Sequence, residues 1–176
     1  MQTTPTSSFE YEIQEENGEK YVVIKKFIGE ETEAVIPGEI DGLPVREIGG
    51  SAFSGCTGLK SIALPKGLET VGNGAFSGCT GLASFTLPEE VKTIGSNAFK
   101  GCTELTTITL PEGLESVGNW AFDRCTGLVF VTLPKGVKTI EKWAFYRCEN
   151  LTIHAPAGSV AEKFAKENGI PFKPIV

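Results

Sequence analysis

The residues of this chain with the clearest chemical potential are five cysteines and one histidine. The cysteines recur every 23 residues, at Cys56, Cys79, Cys102, Cys125 and Cys148. A thiol beside an imidazole can act as a nucleophile, and closely spaced cysteines and histidines can bind zinc. The single histidine, His154, would have to lie beside Cys148 to form such a dyad. No CxxC or Cys/His spacing typical of zinc is present, and we therefore expect no metal site.

The cysteines belong to a longer repeated unit, which offers another explanation for their spacing. An Ala-Phe pair recurs at the same interval, with its phenylalanines at Phe53, Phe76, Phe99, Phe122 and Phe145. Self-similarity at a fixed period of this size indicates a solenoid of stacked turns. Matched positions on adjacent turns lie about 4.8 Å apart, which is within the range that disulfides use. The favoured interpretation is nevertheless a ladder of small buried hydrophobic side chains.

Other catalytic signals are missing. The sequence contains no GxSxG, P-loop or HExxH motif. Its carboxylate pairs, such as Glu15-Glu16 and Glu89-Glu90, fall in predicted turns or on solvated faces. A glycosidase needs two carboxylates across a cleft, and nothing in the repeat builds a cleft. We predict that the protein is not an enzyme and uses no cofactor.

Composition excludes further classes of function. The chain has 176 residues, of which 40% are hydrophobic, and a formal net charge of −6. An acidic chain without a Lys/Arg run lacks the electrostatic footprint of a nucleic-acid binder. No apolar run approaches the roughly 18 residues that a spanning helix needs, so we expect no membrane span. Residues 1–5 show neither the basic start nor the apolar stretch of a secretory signal.

The sequence predicts an α/β repeat solenoid with a cap at each end. Residues 1–8 are expected to form a disordered tail, and residues 9–31 a β-hairpin cap around Asn17-Gly18. Repeats of 23 residues fill 32–156, with extra residues at a turn around Asp41-Gly42. Residues 157–176 are expected to form a cap helix and tail, since Ser159 and Glu162 have capping-box spacing.

Each repeat is expected to contain a strand followed by a short helical turn. Ile108 and Leu110 alternate with Thr107 and Thr109, which is a strand pattern, and Pro111 ends it. A helical turn then places the phenylalanine of the Ala-Phe pair in the core. The strands of successive repeats are expected to stack in parallel.

The repeat resembles a known family. Its unit, Leu105-x-x-Ile108-x-Leu110-Pro111 followed by Ile/Val-Gly-x-x-Ala-Phe-x-x-Cys, is similar to the BspA-type leucine-rich repeats of bacterial surface proteins. The resemblance covers about residues 32–156 and implies a right-handed leucine-rich-repeat arc, secreted or at the cell surface, used for adhesion or protein binding. The sequence departs from the commoner leucine-rich consensus, because Gly or Glu occupies the usual asparagine position and no asparagine ladder is expected.

Two surfaces vary between repeats and are therefore candidate sites. The first, here called the strand face, is rich in hydroxyl groups and carries an apolar anchor; it comprises Thr86, Thr107, Thr109, Val129, Phe130 and Thr132. Threonine also suits a pleated strand for purely structural reasons. If the face is functional, four to six turns at about 4.8 Å each would suit a peptide, a loop or a glycan chain.

The second surface, here called the turn patch, lies near the C-terminal end. The first repeats carry small residues at these positions, whereas the last two carry Trp120, Arg124, Trp143, Tyr146 and Arg147. If the turn is helical, each Arg lies four residues after a Trp, on the same face, where a cation–π contact is expected. Aromatic residues with Arg are also typical of binding hot spots. The alternative interpretation is that they only shield the edge of the core.

These observations predict a non-enzymatic extracellular or cell-surface module that recognises a protein. Self-association through the turn patch is a further possibility. One alternative is a glycan-binding module that uses Trp120 and Trp143 as platforms for sugars. Another is a structural spacer within a longer repeat array.

Overall fold

The computed structural model describes residues 2–175 as a β-solenoid of about seven stacked parallel turns with one C-terminal helix. Two columns of short strands run along the stack, joined in each repeat by a non-helical turn. This architecture confirms the predicted repeat solenoid. Within the described chain, no helix has the length and hydropathy that crossing a membrane requires.

A β-hairpin closes the N-terminal end, as the sequence predicts. Strands β1 (Phe9–Glu16) and β2 (Glu19–Phe27) pair antiparallel, with a register shift after Glu10. Asn17 and Gly18 connect them with φ values of 53° and 81°. Positive φ at both central residues is the geometry of a type I′ turn, which matches the twist of the strands.

The segment before the hairpin differs from the disordered tail predicted for residues 1–8; Met1 lies outside the described residues. Thr4 is buried, and its N–H donates to Val35 O at 3.0 Å. Val35 N–H donates in return to Thr4 Oγ1 at 2.8 Å. Thr6–Ser8 form a 3-10 helix. The reason is that Val35 belongs to an edge strand, whose open backbone groups Thr4 pairs.

The first column of strands continues from the hairpin. Its further strands are β5 (Leu43–Ile48), β7 (Thr70–Val71), β9 (Thr93–Ile94), β11 (Ser116–Val117) and β13 (Thr139–Ile140). Strand β2 pairs in parallel with β5, and the other four strands follow in parallel in chain order. The extra residues predicted around Asp41-Gly42 form a second hairpin turn between β4 (Glu39–Ile40) and β5.

The second column is divided into two sheets. One sheet contains β3, β6 and β8, and the other contains β10, β12, β14 and β15. The strands are β3 (Glu33–Val35), β6 (Ser61–Ala63), β8 (Ser84–Thr86), β10 (Thr107–Thr109), β12 (Phe130–Thr132), β14 (Thr152–Pro156) and β15 (Phe172–Ile175). The division falls at Phe85, which occupies the position of Ile62 and Ile108. Its ring stacks on Phe99 at 4.7 Å, and we attribute the break in the ladder to the size of this side chain.

A column of stacked phenylalanines fills the core under the turns. The centroids of successive rings are 5.1–5.4 Å apart along the column, which contains Phe27, Phe53, Phe76, Phe99, Phe122 and Phe145. Phe9 of the hairpin packs against the first rings, and Phe164 packs edge-on against Phe145 at 6.0 Å. Both ends of the column are therefore covered by the caps.

Helix α1 (Val160–Asn168) begins and ends at the predicted residues. Ser159 Oγ accepts a hydrogen bond from Glu162 N–H at 3.3 Å, and Gly169 ends the helix in the left-handed conformation, with φ 67°. Its buried residues are Ala161, Phe164 and Ala165. After the helix, β15 adds to β14 in parallel and covers the edge of the second column.

All five cysteines are free thiols in a ladder along the turns. From Cys79 onward, each Sγ–H donates to the carbonyl of a phenylalanine in the preceding repeat, as Cys102 does to Phe76 O at 3.2 Å. Burial raises the pKa of Cys102 to about 12. The thiols from Cys79 onward, whose pKa values are all raised, therefore behave as small packed side chains with a satisfied donor, and not as nucleophiles.

The buried thiols are expected to make the fold sensitive to high pH. Below about pH 8 the Cys102 thiol is mostly neutral in both the folded and unfolded states. Above it, unfolded thiols ionise, while a folded Cys102 with a pKa of about 12 does not. Each such thiol should lower the free energy of unfolding by about 1.4 kcal/mol per pH unit up to its folded pKa. Urea unfolding under reducing conditions at pH 8–11 measures this slope.

The matched control for this slope is Cys102→Ala, which removes one thiol and leaves every lysine and tyrosine of the chain in place. Its stability should decline less steeply between pH 9 and 11 by the amount assigned to one thiol. Equal slopes for the two proteins would contradict the assignment.

Candidate functional site

The strand face lies on the outward side of the second column, but Phe85 divides it. Thr107 is in register with Phe130, and Thr109 with Thr132, so β10 and β12 bring these four side chains onto one sheet. Thr86 lies on β8, across the break in the ladder. Val129 precedes β12 and is 51% exposed. The binding role of this face stays a prediction.

The strand face contains an aromatic pair that the sequence analysis did not identify. The ring of Phe130 stacks on His154 of the next turn, with centroids 5.1 Å apart and planes 7° from parallel. His154 is directly opposite Thr132 in the register of β12 and β14. Cys148 Sγ–H is already bonded to Phe122 O at 3.0 Å. The geometry therefore gives the histidine a packing role beside Phe130 and no thiol partner.

The turn patch forms the most aromatic part of the exposed surface. Trp120, Trp143 and Tyr146 are 39%, 38% and 42% exposed. Arg124 and Arg147 are exposed beside them, and Lys142 lies with its Nζ 4.7 Å from the centre of the Trp143 ring. The structure thus places three cations among three exposed aromatic rings, which is the composition of a protein-binding hot spot.

The predicted Trp–Arg pairing within this patch is wrong. Arg147 lies over Tyr146 at 5.2 Å, and the rings of Trp143 and Tyr146 are nearly perpendicular, with centroids 5.2 Å apart. The reason is that the turn is not an α-helix. Its hydrogen bonds span three residues, as from Tyr146 N–H to Trp143 O at 3.1 Å. Residues three apart therefore face one another, and residues four apart do not.

Positive φ angles give the turn this shape. Trp120, Arg124 and Arg147 have φ values of 55°, 60° and 60°. These residues occupy two columns of the repeat. Glycine fills the column of Arg124 and Arg147 in the earlier repeats, as at Gly101. In the column of Trp120, the earlier repeats carry Ser51, Gly74 and Asn97, also with positive φ. A left-handed conformation in a residue with a Cβ costs roughly 1–2 kcal/mol. Large side chains are thus held where the earlier repeats use glycine, serine or asparagine, and strained backbone of this kind is typical of functional positions.

The last turn is also packed less closely than the others. Gly49, Gly72, Gly95 and Gly118 occupy a column in which Glu141 stands in the last repeat. A Cβ at Gly118 would lie 2.6 Å from Ser96 N, so the column leaves no room for a side chain. Asn97 N–H donates to Asn119 O at 2.9 Å, but no equivalent bond joins Trp120 to Lys142 within residues 2–175. We attribute this opening beside both tryptophans to Glu141.

An ion pair under the patch was not expected from the sequence. Asp123 is 4% exposed, and its carboxylate lies 3.2 Å from Lys100 Nζ of the preceding turn. Within the described chain, the other oxygen, Oδ1, receives no hydrogen bond. The signal in the sequence was the one-turn separation of two opposite charges, Lys100 and Asp123, in one column of the repeat. That column contains Ser54, Ser77, Lys100, Asp123 and Tyr146.

A groove adjoins the patch between the last turn and the end of helix α1. Its volume is about 380 Å³. Trp143, Tyr146 and Arg147 of the patch line one side, and Asn168, Gly169 and Ile170 line the other. Within residues 2–175, the groove included, no group of three or more His, Cys, Asp or Glu side chains is arranged to hold a metal ion.

Comparison with known proteins gives one family. The model of the BspA type leucine rich repeat region matches residues 39–152, in six copies. No curated protein matches the chain.

Solved structures with the same architecture come from several bacteria. The leucine rich repeat protein TpLRR of T. pallidum is 36% identical, with a TM-score of 0.83 over 87% of this chain and 71% of its own. A leucine-rich repeat protein from Bacteroides ovatus is 31% identical, with a TM-score of 0.72 over 89% of this chain and 40% of its own. A leucine rich cell surface protein from Faecalibacterium prausnitzii shares the fold at 23% identity, with a TM-score of 0.55 over 88% of this chain and 55% of its own.

Proposed function

The chain belongs to the BspA-type leucine-rich repeat family, and from this we propose that it is a non-enzymatic module that recognises another protein outside the cell or at its surface. Solenoids of this kind bind partners along extended surfaces instead of enclosing small substrates. BspA-type proteins are generally secreted or attached to the surface, and the Faecalibacterium prausnitzii protein is a cell surface protein.

The observation that carries the proposal is the composition of the turn patch. Three aromatic side chains between 38% and 42% exposed lie beside Lys142, Arg124 and Arg147. Soluble proteins rarely leave such groups together at the surface unless a partner covers them. Burying one Trp with its flanking cations would contribute about 2 kcal/mol or more to binding.

The strand face offers a second contact surface. The stacked pair of Phe130 and His154, with the exposed Val129, is an apolar area on a sheet otherwise lined by threonines. A partner that wraps the C-terminal end of the array would contact both surfaces.

Glycan binding is the alternative that the tryptophans suggest. A sugar platform needs a free ring face, whereas Lys142 covers a face of Trp143 and Tyr146 meets it from the side. At Trp143 this arrangement supports a protein partner over a sugar.

The proposal is tested by screening the full chain against extracellular-matrix proteins, mucins and a glycan array. Trp143→Ala is expected to weaken binding to the retained protein by about thirtyfold, which corresponds to about 2 kcal/mol. Phe130→Ala reports separately on the strand face. The affinities are measured by biolayer interferometry on variants with unchanged melting temperatures.

Ile13→Ala is the matched control, since Ile13 is 50% exposed on the hairpin at the opposite end. Its affinity should equal that of the original protein. Binding to glycans and to no protein would support the glycan-binding alternative over a protein partner. If the retained partner bound Trp143→Ala and Phe130→Ala with unchanged affinity, the assignment of both surfaces would be contradicted.

A further inference from the structure

The backbone amides of the turns form a continuous hydrogen-bonded chain along the stacking axis. Phe27 N–H donates to Ala52 O, and the amide between Ala52 and Phe53 donates in turn to Ala75 O of the next repeat. The same step repeats through Phe76, Phe99 and Phe122, with N···O distances of 2.7–2.8 Å. The chain ends at Phe145 N–H.

A second chain of amides runs beside the first. Gly55 N–H donates to Ser77 O, and the following steps pass through Gly78, Gly101 and Arg124 at 2.7–2.9 Å. This chain ends at Arg147 N–H. No backbone carbonyl of residues 2–175 accepts from either Phe145 N–H or Arg147 N–H.

Both chains point the same way, with every N–H directed toward the C-terminal end. Amide dipoles of about 3.5 D that align head to tail add together, as they do in a helix. Hydrogen bonds in series also polarise one another. The two terminal donors therefore lie at the positive end of two aligned columns of dipoles. At the other end of the first chain, Phe27 of the hairpin supplies the initial donor.

The two donors belong to residues that line the groove beside helix α1. Lys142 and Arg147 also line it, and Glu149 is the one acidic side chain among its lining residues. The charge of the nearby Asp123 is compensated by Lys100 at 3.2 Å. The C-terminal end of helix α1 adds a partial negative charge to the groove, but the two cations and the two positive dipole ends outweigh it together with Glu149. The local field thus favours an anion. Leu151, Phe164 and Ile170 supply an apolar wall in the same groove.

We propose that this groove binds the C-terminal carboxylate of a partner protein whose last side chain is apolar. A C-terminal residue carries both groups on one Cα, so its oxygens can reach the two N–H donors while its side chain contacts the apolar wall. Backbone donors in a nest are a recurrent device for capturing carboxylates. This inference deepens the proposed function, on which it rests for its biological partner.

The test uses the full chain, labelled with ¹⁵N, and the peptide N-acetyl-alanyl-alanyl-leucine with a free carboxylate. The amide signals of Phe145 and Arg147 are expected to shift saturably as the peptide is added. The same peptide with a C-terminal amide should leave both signals in place. Since the interaction is with an ion, its affinity should fall as salt is raised.

A pair of matched variants separates the groove from general charge. Arg124 and Arg147 have the same φ of 60°, but Arg124 N–H is bonded to Tyr146 O. Asparagine tolerates this conformation. Both variants keep the backbone N–H. Arg147→Asn is expected to weaken peptide binding about tenfold, because it removes the guanidinium charge that lines the groove. Arg124→Asn removes the same charge from the turn patch outside the groove and should leave peptide binding unchanged.

Equal binding of the amidated peptide, or equal loss in the two variants, would overturn the inference. So would shifts confined to residues outside the groove. The outcome is independent of the protein screen, because the peptide is a defined probe. Peptide binding without any retained protein partner would count against the proposed function and leave the groove assignment intact.

Discussion

Phe99→Ala is expected to lower the free energy of unfolding by about 3–5 kcal/mol, the usual range for deleting a buried phenylalanine side chain. Phe99 is fully buried at the centre of the column. It contacts Phe76 and Phe122 in the column and Phe85 from the second strand column. Its loss leaves a cavity that rigid neighbouring turns cannot close. Urea denaturation followed by circular dichroism measures the effect.

Phe130→Ala is the comparison for this variant, because its ring lies half-buried on the strand face. Its loss of stability should be much smaller than that of Phe99→Ala. If the two variants lost the same free energy, the phenylalanine column would not be the main source of cohesion between turns.

Gly118→Ala is expected to lower the free energy of unfolding by about 1–3 kcal/mol, the range for forcing an extra methyl group into a packed site. The added Cβ would lie 2.6 Å from Ser96 N and 2.7 Å from the carbonyl carbon of Gly95. Both are backbone atoms, which cannot rotate away as a side chain would. Adjacent turns must therefore separate along the whole column.

The control for this variant is Gly58→Ala, where the new Cβ would meet nothing within 4 Å. Its stability should change by less than about 0.5 kcal/mol. Thermal unfolding of the two proteins under identical conditions makes the comparison. A Gly118→Ala protein as stable as Gly58→Ala would show that the turns have room that the structure does not indicate.

Much of the fold could be predicted because its signals are local or periodic. Asn17-Gly18 specifies a hairpin by itself, Ser159 with Glu162 specifies a helix start, and the 23-residue period fixes which residues meet. The strand break at Phe85 was not predictable in the same way. It depends on how the rings of Phe85 and Phe99 pack against each other, which neither a local motif nor the period specifies.

The predicted geometry of the turn patch was wrong because it placed residues four apart on one face, as an α-helix would. The column that ends in Arg124 and Arg147 begins with glycines, and glycine at a repeated position indicates a left-handed backbone. That signal could have excluded an α-helical turn. The buried contact of Lys100 with Asp123 could be suspected from their one-turn separation, but its burial could not.

The hydrogen-bonded amide chains also determine how the protein responds to mechanical load. Their hydrogen bonds lie along the stacking axis. Tension between the two ends of the array therefore acts parallel to these bonds and does not shear many of them at the same time. Turns must then detach one after another, each releasing about 75–80 Å of contour length from its 23 residues. A molecule that yields in such steps dissipates mechanical energy gradually instead of failing in a single event.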